Sequence, residues 1–215
     1  MALAKMTWDE LNQLVGHKIS EPYEEYFDPM RISDEQKQRR IDFAKEIEIV
    51  IVGMLMSFFY DEQYETSNYD EIYARAIREY LEVATAFVII DDYMRGHAEF
   101  LIADAIATME RHREKDDYPW YFSEDRAMAM SENDSNTVIG HDELEEAVSE
   151  GMRYKTWHTI MDGRERDSHA EVNELTIPID EPFELPGGML MCPGDDSMGA
   201  SDEELANCRC ACSYS

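Results

Sequence analysis

The pattern of the chain changes at Tyr154. Before it, apolar residues recur every three to four positions. After it, they alternate or cluster between glycine and proline turns. A period near 3.6 buries one stripe of a helix, whereas a period of two buries one face of a strand. Such a switch sorts helices and strands into separate regions. The expected fold class is α+β: a mainly helical N-terminal bundle over residues 1–150, then a small C-terminal α+β module over 151–215 with a short antiparallel sheet.

The helical part opens with a lead-in over residues 1–32. Thr7-Trp8-Asp9-Glu10 has the capping-box pattern, so a short helix should run to Val15 with Trp8, Leu11, Leu14 and Val15 as its apolar side. Glu21 to Pro29 reads as loop. Ser33 starts a helix whose apolar positions are Ile41, Ala44, Ile47, Ile51, Met54, Leu55 and Phe58. Beyond Ile49 it becomes apolar nearly all round, which predicts a central place in a bundle. Ser67-Asn68 restarts the chain. Ile72, Ala76, Tyr80, Ala84, Phe87 and Val88 keep the period, and Phe100, Leu101, Ala105, Ile106 and Met109 resume it after a kink or break near Gly96.

Ser123 opens another helix through Met130. Residues 131–136 either continue it or form a loop, and Glu143 to Val148 form a further short helix that ends near Gly151. The methionines Met54, Met56, Met94, Met109, Met128 and Met130 read as core. Glu82, Asp91, Asp92, His97 and Asp104 include no Glu-x-x-His pair of the kind a four-helix di-metal site uses, and Asp91 and Asp92 next to Arg95 read as a solvated face.

Acidic residues number 48 against 19 basic, for a net charge of −29. Affinity for nucleic acid comes mainly from Lys and Arg neutralising phosphates, so no strong nucleic-acid binding is expected. The acidity suits solubility, basic protein partners or cations. The most apolar run, Ile49 to Tyr60, is shorter than the roughly 20 residues of a membrane helix. No apolar stretch follows Met1 as in a signal peptide, and the expectation is a soluble protein without a targeting segment.

The cysteines are Cys192, Cys208, Cys210 and Cys212, and none precedes residue 192. A disulfide framework staples distant parts of a small secreted domain, which this clustering does not suit. Reduced thiols are expected, either as a metal cluster or as a small local core.

Strands are expected at residues 156–161, 175–179 and 189–192, with Pro178 marking an edge. One or two helical turns fall within 164–172 and another within 201–206. Pro186-Gly187-Gly188 and Pro193-Gly194-Asp195-Asp196 are turns.

Along this part runs an ordered series: Lys155-x-Trp157, Asp162-x-Arg164-x-Arg166-x-x-His169, Ile177-Pro178-Ile179-Asp180, Phe183, Pro193-Gly194-Asp195 and Asn207-Cys208-Arg209-Cys210. In order and spacing it resembles the C-terminal domain of phage head morphogenesis proteins, the Mu F-like minor head (minor capsid) proteins of tailed phages and prophages. The resemblance covers residues 155–210, and the helix before it also sits where the family places one. Val172-Asn173-Glu174 stands where the family usually has Leu-Asp-Gly. Cys192 replaces an aromatic residue, and Glu165 an apolar one. The resemblance implies a portal-associated role in virion assembly, with portal and capsid proteins as partners. It implies a place in the bacterial host cytoplasm during assembly, with retention in the virion and departure after assembly both left open. It implies no defined reaction.

Several chemistries remain open for these residues. His169, Cys208 and Cys210 are soft ligands for zinc, with Cys192 or Cys212 as a fourth, although Cys-x-Cys is a less usual spacing than Cys-x2-Cys. Such a site could stabilise an interaction module. Alternatively, His169 bonds to a carboxylate such as Asp162 and the thiols pack as small apolar groups. A third reading makes Arg164, Arg166 and His169 the phosphate or nucleotide site of a nuclease-like or transferase-like enzyme. Against it, Glu165, Asp167 and Glu171 offer the arginines salt bridges. Trp157 reads as core.

Overall fold

A computed structural model describes residues 6–16, 19–66 and 68–215. Ser67 of the expected restart and residues 1–5 of the lead-in lie outside the described residues. The fold is α+β and mainly helical, with helices before residue 150 and a small antiparallel sheet after it.

Two compact units divide the chain. One takes residues 1–21 and 44–131, the other residues 22–43 and 132–215. The unit that carries the ordered series is thus larger than the 151–215 module expected from pattern alone.

In the first unit, α1 (Trp8–Val15) carries the expected capping box, with Glu10 N donating to Thr7 Oγ1 and Thr7 N to Glu10 Oε2. Trp8, Leu11 and Val15 are buried, whereas Leu14 is exposed. Helix α3 (Asp34–Tyr64) starts in the second unit and continues here. Its all-round apolarity does not make it fully enclosed: Ile49 is 68% exposed, and Val52 and Gly53 are half-buried.

Helix α4 (Tyr69–Ala84) and α5 (Asp92–His112) are separated at residues 85–91, not at Gly96. The carboxylate of Asp91 accepts from Met94 N and caps α5, so the chain restarts at the acid rather than at the glycine. Tyr118–Phe122 is a 3₁₀ turn. Met54, Met94 and Met109 are core as expected, whereas Met56, Met128 and Met130 are half-buried.

Helix α6 (Glu124–Ser149) is one continuous 26-residue helix. Neither the loop nor the second start near Gly140 occurs. Ser131, Asp134, Ser135, Asn136 and Thr137 are all buried. In the first unit Ser131 Oγ donates to Ala127 O. In the second, Ser135 Oγ donates to Arg40 O at 2.7 Å. Polar side chains with buried partners favour the helix where solvent-facing ones would favour a turn.

The second unit also holds α2 (Tyr23–Phe27), where a loop was expected. Tyr23, Tyr26 and Phe27 are buried there, and that packing outweighs the local turn signals. Its sheet has the order β2-β1-β5, from β2 (Thr176–Pro178), β1 (Tyr154–His158) and β5 (Ala211–Tyr214), all antiparallel. Pro178 lies on an edge strand as expected. A separate hairpin pairs β3 (Phe183–Leu185) with β4 (Gly188–Leu190). The short helices α7 (Asp167–Glu171) and α8 (Asp202–Leu205) complete the unit.

Alternation along β1 buries Lys155 and Trp157 on one face. Trp157 is core as expected, packed edge-on against His169 and Phe183. Lys155 Nζ donates to Met191 O at 2.7 Å and lies over the Phe183 ring. Burial lowers the pKa of its ammonium group. No helix among the described residues is long and apolar enough to cross a membrane.

Candidate functional site

The ordered series folds into one network within the second unit. Its centre is His169, 2% exposed on α7. Nδ1 of His169 lies 3.7 Å from Cys208 Sγ and 3.4 Å from Cys210 Sγ. The donor atoms of the three residues all fall within 4.8 Å of one another. Cys208 and Cys210 are both buried on either side of the half-buried Arg209, and Cys-x-Cys brings both sulfurs to one imidazole.

On the other side of the ring, His169 Nε2 lies 3.0 Å from Glu204 Oε2. The carboxylate accepts there, which assigns the proton to Nε2 and leaves the Nδ1 lone pair facing the sulfurs. Glu204 is itself buried. Its carboxylate also accepts from Ser168 Oγ at 2.8 Å and from Gly187 N at 3.1 Å. A Cβ on Gly187 would come within 2.6 Å of Glu204 Cγ, so the turn needs glycine there. The carboxylate partner of His169 is therefore Glu204 and not Asp162. Glu204 reaches the site because α8 presents it; before folding it reads only as first-turn acid.

Asp162 does other work. Its carboxylate accepts from Arg209 Nη2 at 2.7 Å, from Arg164 Nε at 3.1 Å and from Arg164 N at 3.0 Å. Arg166 donates to Ala206 O. Arg164 thus holds Asp162, and Arg166 a main-chain carbonyl. Arg166 binds the loop that delivers the cysteines directly, and Arg164 meets it through Asp162, which also holds Arg209.

That loop is shaped by Asn207, at φ 52°, a left-handed conformation that Asn tolerates better than most residues. From α6, Asn136 Nδ2 donates to Cys208 O and Cys210 O, each at 2.9 Å. Arg40 Nε in turn donates to Asn136 Oδ1 at 3.0 Å, and the Arg40 guanidinium is bonded to both oxygens of Glu143 at 2.7 and 2.9 Å. Sequence reasoning missed Arg40, Asn136, Glu143 and Glu204. One signal was available: Glu132, Asn136, Gly140 and Glu143 recur at helical spacing, as one polar side of a helix would.

The turn Pro193-Gly194-Asp195 closes against the same helix. Asp195 accepts from Met191 N and Ser197 N. Gly194 has φ 83°, and a Cβ there would stand 2.6 Å from Thr137 Oγ1.

Cys192 and Cys212 do not join the cluster among the described residues. Both are buried, and burial raises both thiol pKa values. Cys208 and Cys210 differ from each other. The hydrogen bond between their sulfurs holds Cys210 well below the usual thiol range and pushes Cys208 above it.

Beside His169 and Cys210 lies a cavity of about 30 Å³, lined also by Thr159, Arg164, Arg166 and Arg209. Thr159 Oγ1 accepts from Trp157 Nε1 at 3.0 Å and donates to His169 O at 2.8 Å, which ties β1 to α7.

Two thiols and an imidazole with a carboxylate behind it suit a soft divalent ion, and they also form a Cys210–His169–Glu204 row of the kind that activates a nucleophile. No family model, no curated protein and no solved structure matches the chain.

Proposed function

We propose that the chain is a minor head protein of a tailed phage or prophage, acting in head assembly through contacts with portal and capsid subunits. Support comes from the way the ordered series of residues 155–210 packs. Trp157, Asp162, Arg164, Arg166, His169, Asn207, Cys208, Arg209 and Cys210 join one network around His169. Pro193-Gly194-Asp195 is the turn seated on α6. A series whose members hold one another in place behaves as a fold signature rather than a set of chance matches.

Arg164 bonds to Asp162 and Arg166 to Ala206 O, so the pair that would hold a phosphate is engaged within the network instead. This favours a protein-contact role over the nuclease-like or transferase-like alternative. The net charge of −29 points the same way, toward basic protein surfaces and away from nucleic acid.

The test is co-expression with the portal and capsid proteins encoded beside it, followed by sedimentation of the assembled particles. The reading expects the chain to travel with procapsids or with portal rings. Neighbouring genes that encode no portal or terminase, and a chain that stays at the top of the gradient, would contradict it.

A further inference from the structure

For an ion bound tetrahedrally, with sulfur at about 2.3 Å and imidazole nitrogen at about 2.0–2.1 Å, adjacent sulfur and nitrogen ligands stand roughly 3.6 Å apart. The two Sγ–Nδ1 separations at His169, 3.7 and 3.4 Å, bracket that spacing. Two sulfurs converge on the one Nδ1 lone pair, an arrangement that a shared ion would use at once. The Glu204 carboxylate on Nε2 is the other half of a familiar arrangement, in which a carboxylate fixes the tautomer of a metal-binding imidazole and raises its basicity.

Beside the donor atoms of His169 and Cys210 lies the cavity of about 30 Å³, more than the roughly 10–15 Å³ that a water needs. A single solvent molecule fits. Arg209, which lines this cavity, has a buried Nη1 without a partner among the described residues.

We propose that His169 Nδ1, Cys208 Sγ and Cys210 Sγ bind one zinc-class divalent ion, and that solvent in the cavity beside Arg209 completes its coordination. Cys192 and Cys212 take no part. Structural zinc sites usually close with four protein ligands, whereas a site with three keeps an exchangeable position. The position here is thus open to small anions. The site stands independently of the role in head assembly.

The experiment begins with the full chain purified without chelator. Elemental analysis should give about one zinc per chain. Replacing zinc with Co(II) should give thiolate-to-metal charge-transfer bands and intense tetrahedral d–d bands. Azide should shift the d–d bands by displacing the solvent ligand. Cys208→Ser and Cys210→Ser should each abolish the charge-transfer bands or halve them, while Cys192→Ser and Cys212→Ser leave both metal content and spectrum unchanged. Should the Cys208 and Cys210 variants fail to fold, Glu204→Gln decides, with an expected 10–100-fold loss of zinc affinity in chelator competition. A wild-type chain that takes up neither metal overturns the site. Loss of metal in Cys192→Ser or Cys212→Ser, or d–d bands indifferent to azide, overturns the open fourth position.

Discussion

The side-chain amide of Asn136 sits 2.9 Å from the carbonyl oxygen of Cys210, a residue 74 positions further along the chain. The same nitrogen serves Cys208 O, so one buried helix residue sets the course of the whole Cys208-Arg209-Cys210 segment.

Asn136→Ala should therefore cost more than an ordinary side-chain truncation. It leaves two buried carbonyls and the Arg40 Nε without their partner, at about 1–3 kcal/mol for each unsatisfied group. A loss of roughly 3 kcal/mol in urea unfolding is expected, partly relieved by entry of water. A loss below about 0.5 kcal/mol would mean that the segment holds its own shape.

Arg40 and Glu143 form a buried, two-pronged pair, with Arg40 1% exposed. Removing either partner strands the other charge. Arg40→Met and Glu143→Gln should each destabilise by about 3–5 kcal/mol, and the double variant by much less than their sum. A double-mutant cycle measures the difference, and additive losses would show that the two residues act separately.

Glu174 holds φ 64° in the turn after α7. The resemblance places glycine at this position. A residue with a Cβ bears the strain of this left-handed conformation, worth about 1–2 kcal/mol for L-residues. Its exposed ion pair with Arg31 returns little. Glu174→Gly should raise stability by up to about 1 kcal/mol, and Glu174→Val should lower it by at least as much. Thermal unfolding of both variants checks the order, and a Gly variant less stable than the Val variant would refute it.

Asp162 should make the loop acid-sensitive. Burial alone would raise the pKa of its carboxyl, but hydrogen bonds from Arg209 and Arg164 outweigh that and hold it at about 2, against an ordinary 3.8. A group with a depressed folded pKa stabilises fully above its unfolded value and loses that contribution as pH falls through the folded one. The stability gap between wild type and Asp162→Asn should thus be constant above pH ~4.5 and close between pH ~4 and 2. A gap that stays open at pH ~2 would show that the charge of Asp162 is not what holds Arg209.

Much of this was legible before folding because it is local. The capping box of Thr7 and Glu10, the edge position of Pro178 and the burial of Trp157 each follow from a few neighbouring residues. The convergence of His169 with Cys208 and Cys210 was legible as chemistry, since soft donors in one short stretch invite it. What escaped was long-range. Residues 131–136 read as either helix or loop until Arg40 and the carbonyls of the cysteine segment supply partners for Ser135 and Asn136. Glu204 looks like ordinary first-turn acid on a helix until α7 brings His169 to it. Strand β5 follows the cysteines with little signal of its own and forms by pairing with β1, where Trp157 lies opposite Cys212.

The most direct measurement is X-ray absorption at the zinc edge on the full chain. With His169, Cys208 and Cys210 as the protein ligands, the first shell should contain two sulfurs at about 2.3 Å and two nitrogen or oxygen atoms at about 2.0–2.1 Å. Three or four sulfurs would bring Cys192 or Cys212 into the site and contradict the open position. A chain without bound zinc would return the cluster to hydrogen bonding and packing alone.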